Sequence, residues 1–137
     1  MALTHLVDTS VLTRLSIPAV QAAVEPLLEA GCAARAGISD LEIGYSARNV
    51  REWDRFQEAL DAFGLLETGA AHMRRARQVQ RLLAERSQRG RKVPDLLIAA
   101  AAELAGLIVL HYDADFELIA SITGQSSQWV VAPGSID

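Results

Sequence analysis

Apolar positions along the chain fall into two alternating kinds of run. Short continuous or β-branched stretches at residues 3–7, 32–37, 65–67, 107–110 and 129–131 predict strands. Between them lie longer stretches with apolar residues three and four apart, which predict amphipathic helices. The first is a short helix over residues 11–15. The second starts near Pro18, carries Val20, Val24, Leu27 and Leu28 on one face, and is expected to kink or restart at Pro26 and to stop at Gly31. Ser39 opens the next, to about residue 49. Trp53, Phe56, Leu60 and Phe63 mark another, and residues 70–87 form one with Met73, Ala76, Val79 and Leu83 inward. Pro94-Asp95 begins an alanine-rich helix that calls for close packing, and residues 113–122 form the last.

Strands separated by helices cannot close into hairpins, so they pair in parallel through crossovers. The expected fold class is α/β: a single-domain α/β/α sandwich over residues 1–137, with a mostly parallel sheet of about five strands. The run 107–110 is apolar throughout, as a strand buried on both faces should be. With 137 residues, 50% of them hydrophobic and 22% charged, the chain suits one globular core. Cys32 is the lone cysteine and reads as a small buried hydrophobe in a reducing compartment. The longest apolar stretch, 96–102, is far short of the roughly 20 residues that cross a bilayer. A soluble, cytoplasmic protein is expected.

Charge changes the picture in one place. The net charge is −4, yet Arg74, Arg75, Arg77, Arg81, Arg86, Arg89, Arg91 and Lys92 are opposed within their segment only by Glu85. That segment is +7 and the rest of the chain −11. An acidic protein with one basic stripe can still engage a polyanion locally. A solvated helix face accounts for such arginines equally well.

Five acids sit where strands hand over to helices or where helices begin: Asp8, Glu42, Asp95, Asp113 and Asp115. Ligands of open parallel sheets collect beyond the carboxyl ends of the strands. Each acid also has a structural explanation. Ser39-Asp40-Leu41-Glu42 matches a capping box, and Asp8, Asp95 and Asp113 each suit a helix N-cap. Converging carboxylates repel, so a cluster of them calls for a cation. Hard oxygen donors point to Mg2+ or Mn2+ rather than zinc. His5, His72 and His111 lie on separate elements and read as structural.

In this order, Leu6-Val7-Asp8-Thr9-Ser10, Ser39-Asp40-Leu41-Glu42, Pro94-Asp95-Leu96-Leu97-Ile98-Ala99-Ala100 and His111-Tyr112-Asp113-Ala114-Asp115-Phe116 resemble the PIN-domain nucleases, in particular the VapC toxins of bacterial toxin–antitoxin pairs. The resemblance spans essentially the whole chain. It implies a catalytic quartet of Asp8, Glu42, Asp95 and Asp113, with Asp8, Asp95, Asp113 and Asp115 as metal ligands. Ser10 would orient the first carboxylate or a water beside it. The implied activity is Mg2+- or Mn2+-dependent endoribonuclease cleavage leaving 5′-phosphate and 3′-hydroxyl ends. The implied partners are RNA, such as transfer RNA, a cognate antitoxin and a second copy of the chain; no membrane is involved. Arg74, Arg75, Arg77, Arg81, Arg91 and Lys92 are the candidate RNA contacts. Two rival readings are a protein-interaction module whose acids are only caps, and a metal-dependent phosphatase. The phosphatase is disfavoured because Asp8 is followed by Thr9 and Ser10 rather than by a second aspartate two residues on.

Overall fold

A computed structural model describes residues 2–88 and 90–137; Arg89, counted in the basic stripe, lies outside the described residues. Five strands, β1 (His5–Val7), β2 (Ala33–Ala36), β3 (Gly64–Leu66), β4 (Ile108–His111) and β5 (Ser127–Trp129), form one sheet in the order β3-β2-β1-β4-β5. All four pairings are parallel. Seven helices accompany them among the described residues: α1 (Thr9–Leu12), α2 (Pro18–Glu29), α3 (Gly37–Tyr45), α4 (Val50–Leu60), α5 (Ala70–Glu85), α6 (Val93–Ala105) and α7 (Asp115–Thr123).

The period-two alternation of the central strands divides the interior in two. Leu6, Ala34, Ala36 and Val109 point to a core shared with α5, α6 and α7. Val7, Ala33 and Leu110 point the other way, to a core shared with α1, α2 and Leu60 of α4. That is the expected three-layer sandwich. Ala99, Ala100, Ala101 and Ala102 are all buried, which lets α6 lie close to the sheet. Gly31 and Gly106 end α2 and α6 with φ of 68° and 70°, a left-handed conformation that suits glycine. After each, the next amide reaches back into the helix: Cys32 N–H to Leu27 O, and Leu107 N–H to Ala102 O.

Several local expectations change. Pro26 does not break α2, which runs through it. Met73 is not buried: it is 53% exposed, outside the Ala76, Val79 and Leu83 stripe that α5 packs into the core. Trp53, also expected in the core, is 44% exposed and lies against Gly44 of α3. No described helix is long and apolar enough to cross a membrane.

Candidate active site

The first strand has β2 on one side and β4 on the other, so the chain's crossovers diverge on either side of it. Such a switch point leaves a crevice beyond the strand ends. Asp8 follows β1 there and caps α1, accepting from the Ser10 amide at 2.9 Å through Oδ2. Asp113 follows β4 next door. Tyr112 N–H donates to Ser10 Oγ at 2.9 Å and ties the two strand exits together. Ser10 therefore holds the first carboxylate by its amide, while its hydroxyl braces β4.

Glu42 arrives from α3, and the capping box that would have explained it structurally is not formed. This helix starts at Gly37 directly from the end of β2, with Ala36 as an N-cap that makes no side-chain bond. Ser39 is fully buried inside the helix. Thr9 Oγ1 lies 2.7 Å from both Ser39 Oγ and Glu42 Oε1. One hydroxyl proton serves one acceptor, so Thr9 donates to the carboxylate and Ser39 supplies the other bond. Asp95 stands in the first turn of α6, 5% exposed.

Asp8, Glu42, Asp95 and Asp113 line one cavity of about 230 Å³, together with Thr9, Ser10, Thr13, Arg14, Lys92 and Tyr112. Asp115 joins from the start of α7: Asp95, Asp113 and Asp115 each offer an oxygen within 4.8 Å of the others. All five acids thus converge. A larger hollow of about 670 Å³ lies along α5, lined by Arg74, Arg77 and Arg81. It holds no acid that could do chemistry, so size does not locate the site.

The electrostatics are uneven. Burial pushes Asp8 up to about 6, against hydrogen bonds from Ser10 and Thr9 and with help from the Glu42 charge. Burial raises Asp95 to about 7, and the nearby Asp8 charge adds to it. Asp113 goes the other way: burial opposes ionisation, but Lys92, the Asp115 amide and His111 outweigh it. Lys92 Nζ is 2.7 Å from Asp113 Oδ2, and Arg91 Nη1 is 2.6 Å from Asp115 Oδ1. Two buried carboxylate oxygens, Asp8 Oδ1 and Asp95 Oδ2, have no hydrogen-bond partner among the described residues. Orphaned anionic oxygens in a ring of hard donors fit a divalent cation such as magnesium or manganese.

Behind the site, His111 is fully buried between Phe116 and Trp129. Its Nδ1 accepts from the Asp113 amide at 3.1 Å, so Nε2 carries the proton and donates to Glu117 Oε1 at 3.0 Å. The ring orients the backbone of Asp113 and faces away from the cavity. This is the structural role expected of it. Sequence reasoning missed Thr9, Arg14 and Tyr112. Thr9 and Tyr112 carried a signal, since they adjoin Asp8 and Asp113; Arg14 carried none. Of the candidate RNA contacts, Arg74, Arg77 and Arg81 are exposed on α5, whereas Arg75 is turned to Glu103 at 2.6 Å.

The PIN domain family matches residues 5–122. Ribonuclease VapC51 of Mycobacterium tuberculosis is 66% identical over the whole of both chains. The chain is a PIN-domain protein of the VapC type. Ribonuclease VapC21 of the same organism is 46% identical, covering 98% of this chain and 99% of its own. Solved VapBC structures share the PIN fold at lower identity. A DNA-bound VapBC from Salmonella typhimurium superposes with a TM-score of 0.79 at 17% identity, over 94% of this chain and 99% of that one. VapBC-1 from nontypeable Haemophilus influenzae gives 0.75 at 14%, over 95% and 98%.

Proposed function

We propose that this VapC-type protein is a cytoplasmic, divalent-metal-dependent endoribonuclease, its residues 1–137 acting as one nuclease domain. It hydrolyses RNA phosphodiesters to 5′-phosphate and 3′-hydroxyl ends. It serves as the toxin of a pair and is silenced by a cognate antitoxin. A homodimer is the expected assembly and transfer RNA a suitable substrate. The observation that carries the reading is the pair of unpartnered buried oxygens on Asp8 and Asp95, inside a cavity shared with Glu42 and Asp113.

Asp8, Asp95, Asp113 and Asp115 are the residues to hold Mg2+ or Mn2+. Once held, the ion supplies Lewis acidity towards the attacking water and the phosphoryl oxygens. Glu42 is the base: Thr9 anchors one of its oxygens at 2.7 Å and leaves the other to take the water's proton. Ser10 keeps Asp8 in place through its amide, and the Tyr112–Ser10 bond keeps the two strand exits at constant separation. Arg14 lines the same cavity with its Nη1 donating to Ser10 O at 2.7 Å, while its Nε and Nη2 pair with Asp137, so it braces the pocket wall.

The test is cleavage of a defined RNA with Mg2+ or Mn2+ and with excess EDTA, followed by mapping of the new ends. Cyclic phosphate termini, or full activity in EDTA, would overturn the mechanism.

A further inference from the structure

The acidic cavity brings its own cations, and they differ. Arg91 is three-quarters covered and holds Asp115 through Nη1, while its buried Nε has no hydrogen-bond partner among the described residues. Lys92 is the N-cap residue of α6, and its side chain is 61% exposed on a flexible stem. Its ammonium nonetheless turns inward, 2.7 Å from Asp113 Oδ2 and 3.8 Å from the unpartnered Asp95 Oδ2. Those two acids, with Asp115, form the group of oxygens close enough to share one ion. An ammonium and a dication cannot both sit between the same two carboxylates without strong repulsion.

We propose that Lys92 is the resident counterion of this carboxylate group and that a divalent cation binds by displacing its ammonium from Asp113. The inference rests on the metal-dependent reading above. Lys92 then acts as a plug with two positions: inward, quenching repulsion among the acids, or outward in solvent while the dication takes over. Its exposure and unbranched stem make the outward position accessible without moving α6. The acids it guards stay where Arg91 and the Asp113–Asp115 turn hold them. Apparent metal affinity is lowered by the fraction of time the plug is in.

The experiment titrates Mn2+ into the full chain by calorimetry, in wild type, Lys92→Gln and Lys92→Arg, and compares thermal unfolding in EDTA. If the plug is in about nine-tenths of the time, Lys92→Gln binds Mn2+ about tenfold tighter than wild type. It should also melt lower in EDTA, whereas Lys92→Arg, which keeps the charge, stays near wild type in both. Equal or weaker Mn2+ binding by folded Lys92→Gln overturns the proposal, while binding by wild type leaves the metal-dependent reading intact. Absence of Mn2+ binding in both sinks the two together. Should Lys92→Gln not fold, the wild type still decides. Its Lys92 Cε resonance must shift on titration with diamagnetic Mg2+, and a resonance that stays put while Mg2+ binds elsewhere in the pocket refutes the displacement.

Discussion

Two of the regions where this protein buries charge are built on opposite terms. On β2, Arg35 has a side chain only 10% exposed, and every arm of its guanidinium is occupied. Nε and Nη2 meet the two oxygens of Asp40 at 2.8 and 3.1 Å, and Nη1 donates to Phe63 O. That arrangement staples β2, the start of α3 and the entry to β3. At the exits of β1 and β4, five carboxylates share two close cations, Lys92 and Arg91, and two buried oxygens go unpartnered. Buried charge that only supports a fold is matched donor for acceptor. Charge left unmatched inside a cavity marks a place where something else must come.

The sharpest way to break this contrast is to neutralise one member of each region without changing its shape. Asp95→Asn should cut RNA cleavage by about 10²–10³-fold, the scale for losing one group aimed at developing charge. It should leave the EDTA melting temperature equal or higher, because it removes a repulsive anion. Next in size, Arg35→Met should lower stability by about 2–3 kcal/mol, below the range for fully buried pairs because Asp40 is partly exposed. Denaturant titration would show it, and cleavage at a permissive temperature should survive. Loss of stability in Asp95→Asn, or of activity in folded Arg35→Met, would erase the distinction.

A smaller effect is written in pH. In EDTA the folded chain holds protons on Asp8 and Asp95 up to about 6 and 7, against 3.8 for an ordinary aspartate. Folded carboxyls with raised pKa bind more protons than unfolded ones across that window. Their contribution is therefore present at acid pH and lost as pH rises through about 6 and 7. His111 pulls the other way, since burial lowers its pKa and favours folding once the ring is neutral. The informative quantity is the difference between wild type and Asp8→Asn, which keeps the α1 cap. The variant should gain about 1 kcal/mol at pH 8 over pH 5, roughly 3–5 °C for a chain this long. A gain that is the same at both pH values would assign Asp8 to capping alone.

The strands and helices, and their order, were legible because each carries its own period of apolar residues. The order of strands in the sheet was not, since no local pattern states which edge β4 joins; convergence of Asp8 with Asp113 depends on that pairing. Glu42 lines the cavity, and the capping box that offered it a purely structural explanation is not formed. Ser39-Asp40-Leu41-Glu42 has the spacing of a capping box, yet Gly37 starts the helix straight out of β2 and Ser39 is buried against Thr9. A local rule matched a sequence whose serine and glutamate answer to Thr9, 30 and 33 positions away. Lys92 was read as part of a basic stripe because sequence shows charge density and not direction. Its partner lies 21 residues on, across the N-terminus of α6.

The same division of the stripe yields the smallest effect and the finest test of the contrast. Arg75 is matched, paired to Glu103 at 2.6 and 3.0 Å and partly covered, whereas Arg74, Arg77 and Arg81 stand in solvent along the outer face of α5. The Arg81–Glu85 pair is an exposed pair one helical turn apart, of the kind worth only about 0.3–0.5 kcal/mol. Replacing Arg74, Arg77 and Arg81 together with Gln should therefore change stability by less than about 0.5 kcal/mol in sum, as surface substitutions do. If these side chains track an RNA backbone, the slope of log K against log salt should fall by about 0.7 for each phosphate no longer neutralised, near 2 for all three. Arg75→Gln should do the reverse, costing about 1 kcal/mol of stability and leaving the slope unchanged. Should the triple variant keep the wild-type slope, the outer face of α5 is ordinary solvated surface, and the RNA backbone is gripped instead by the cations at the pocket mouth.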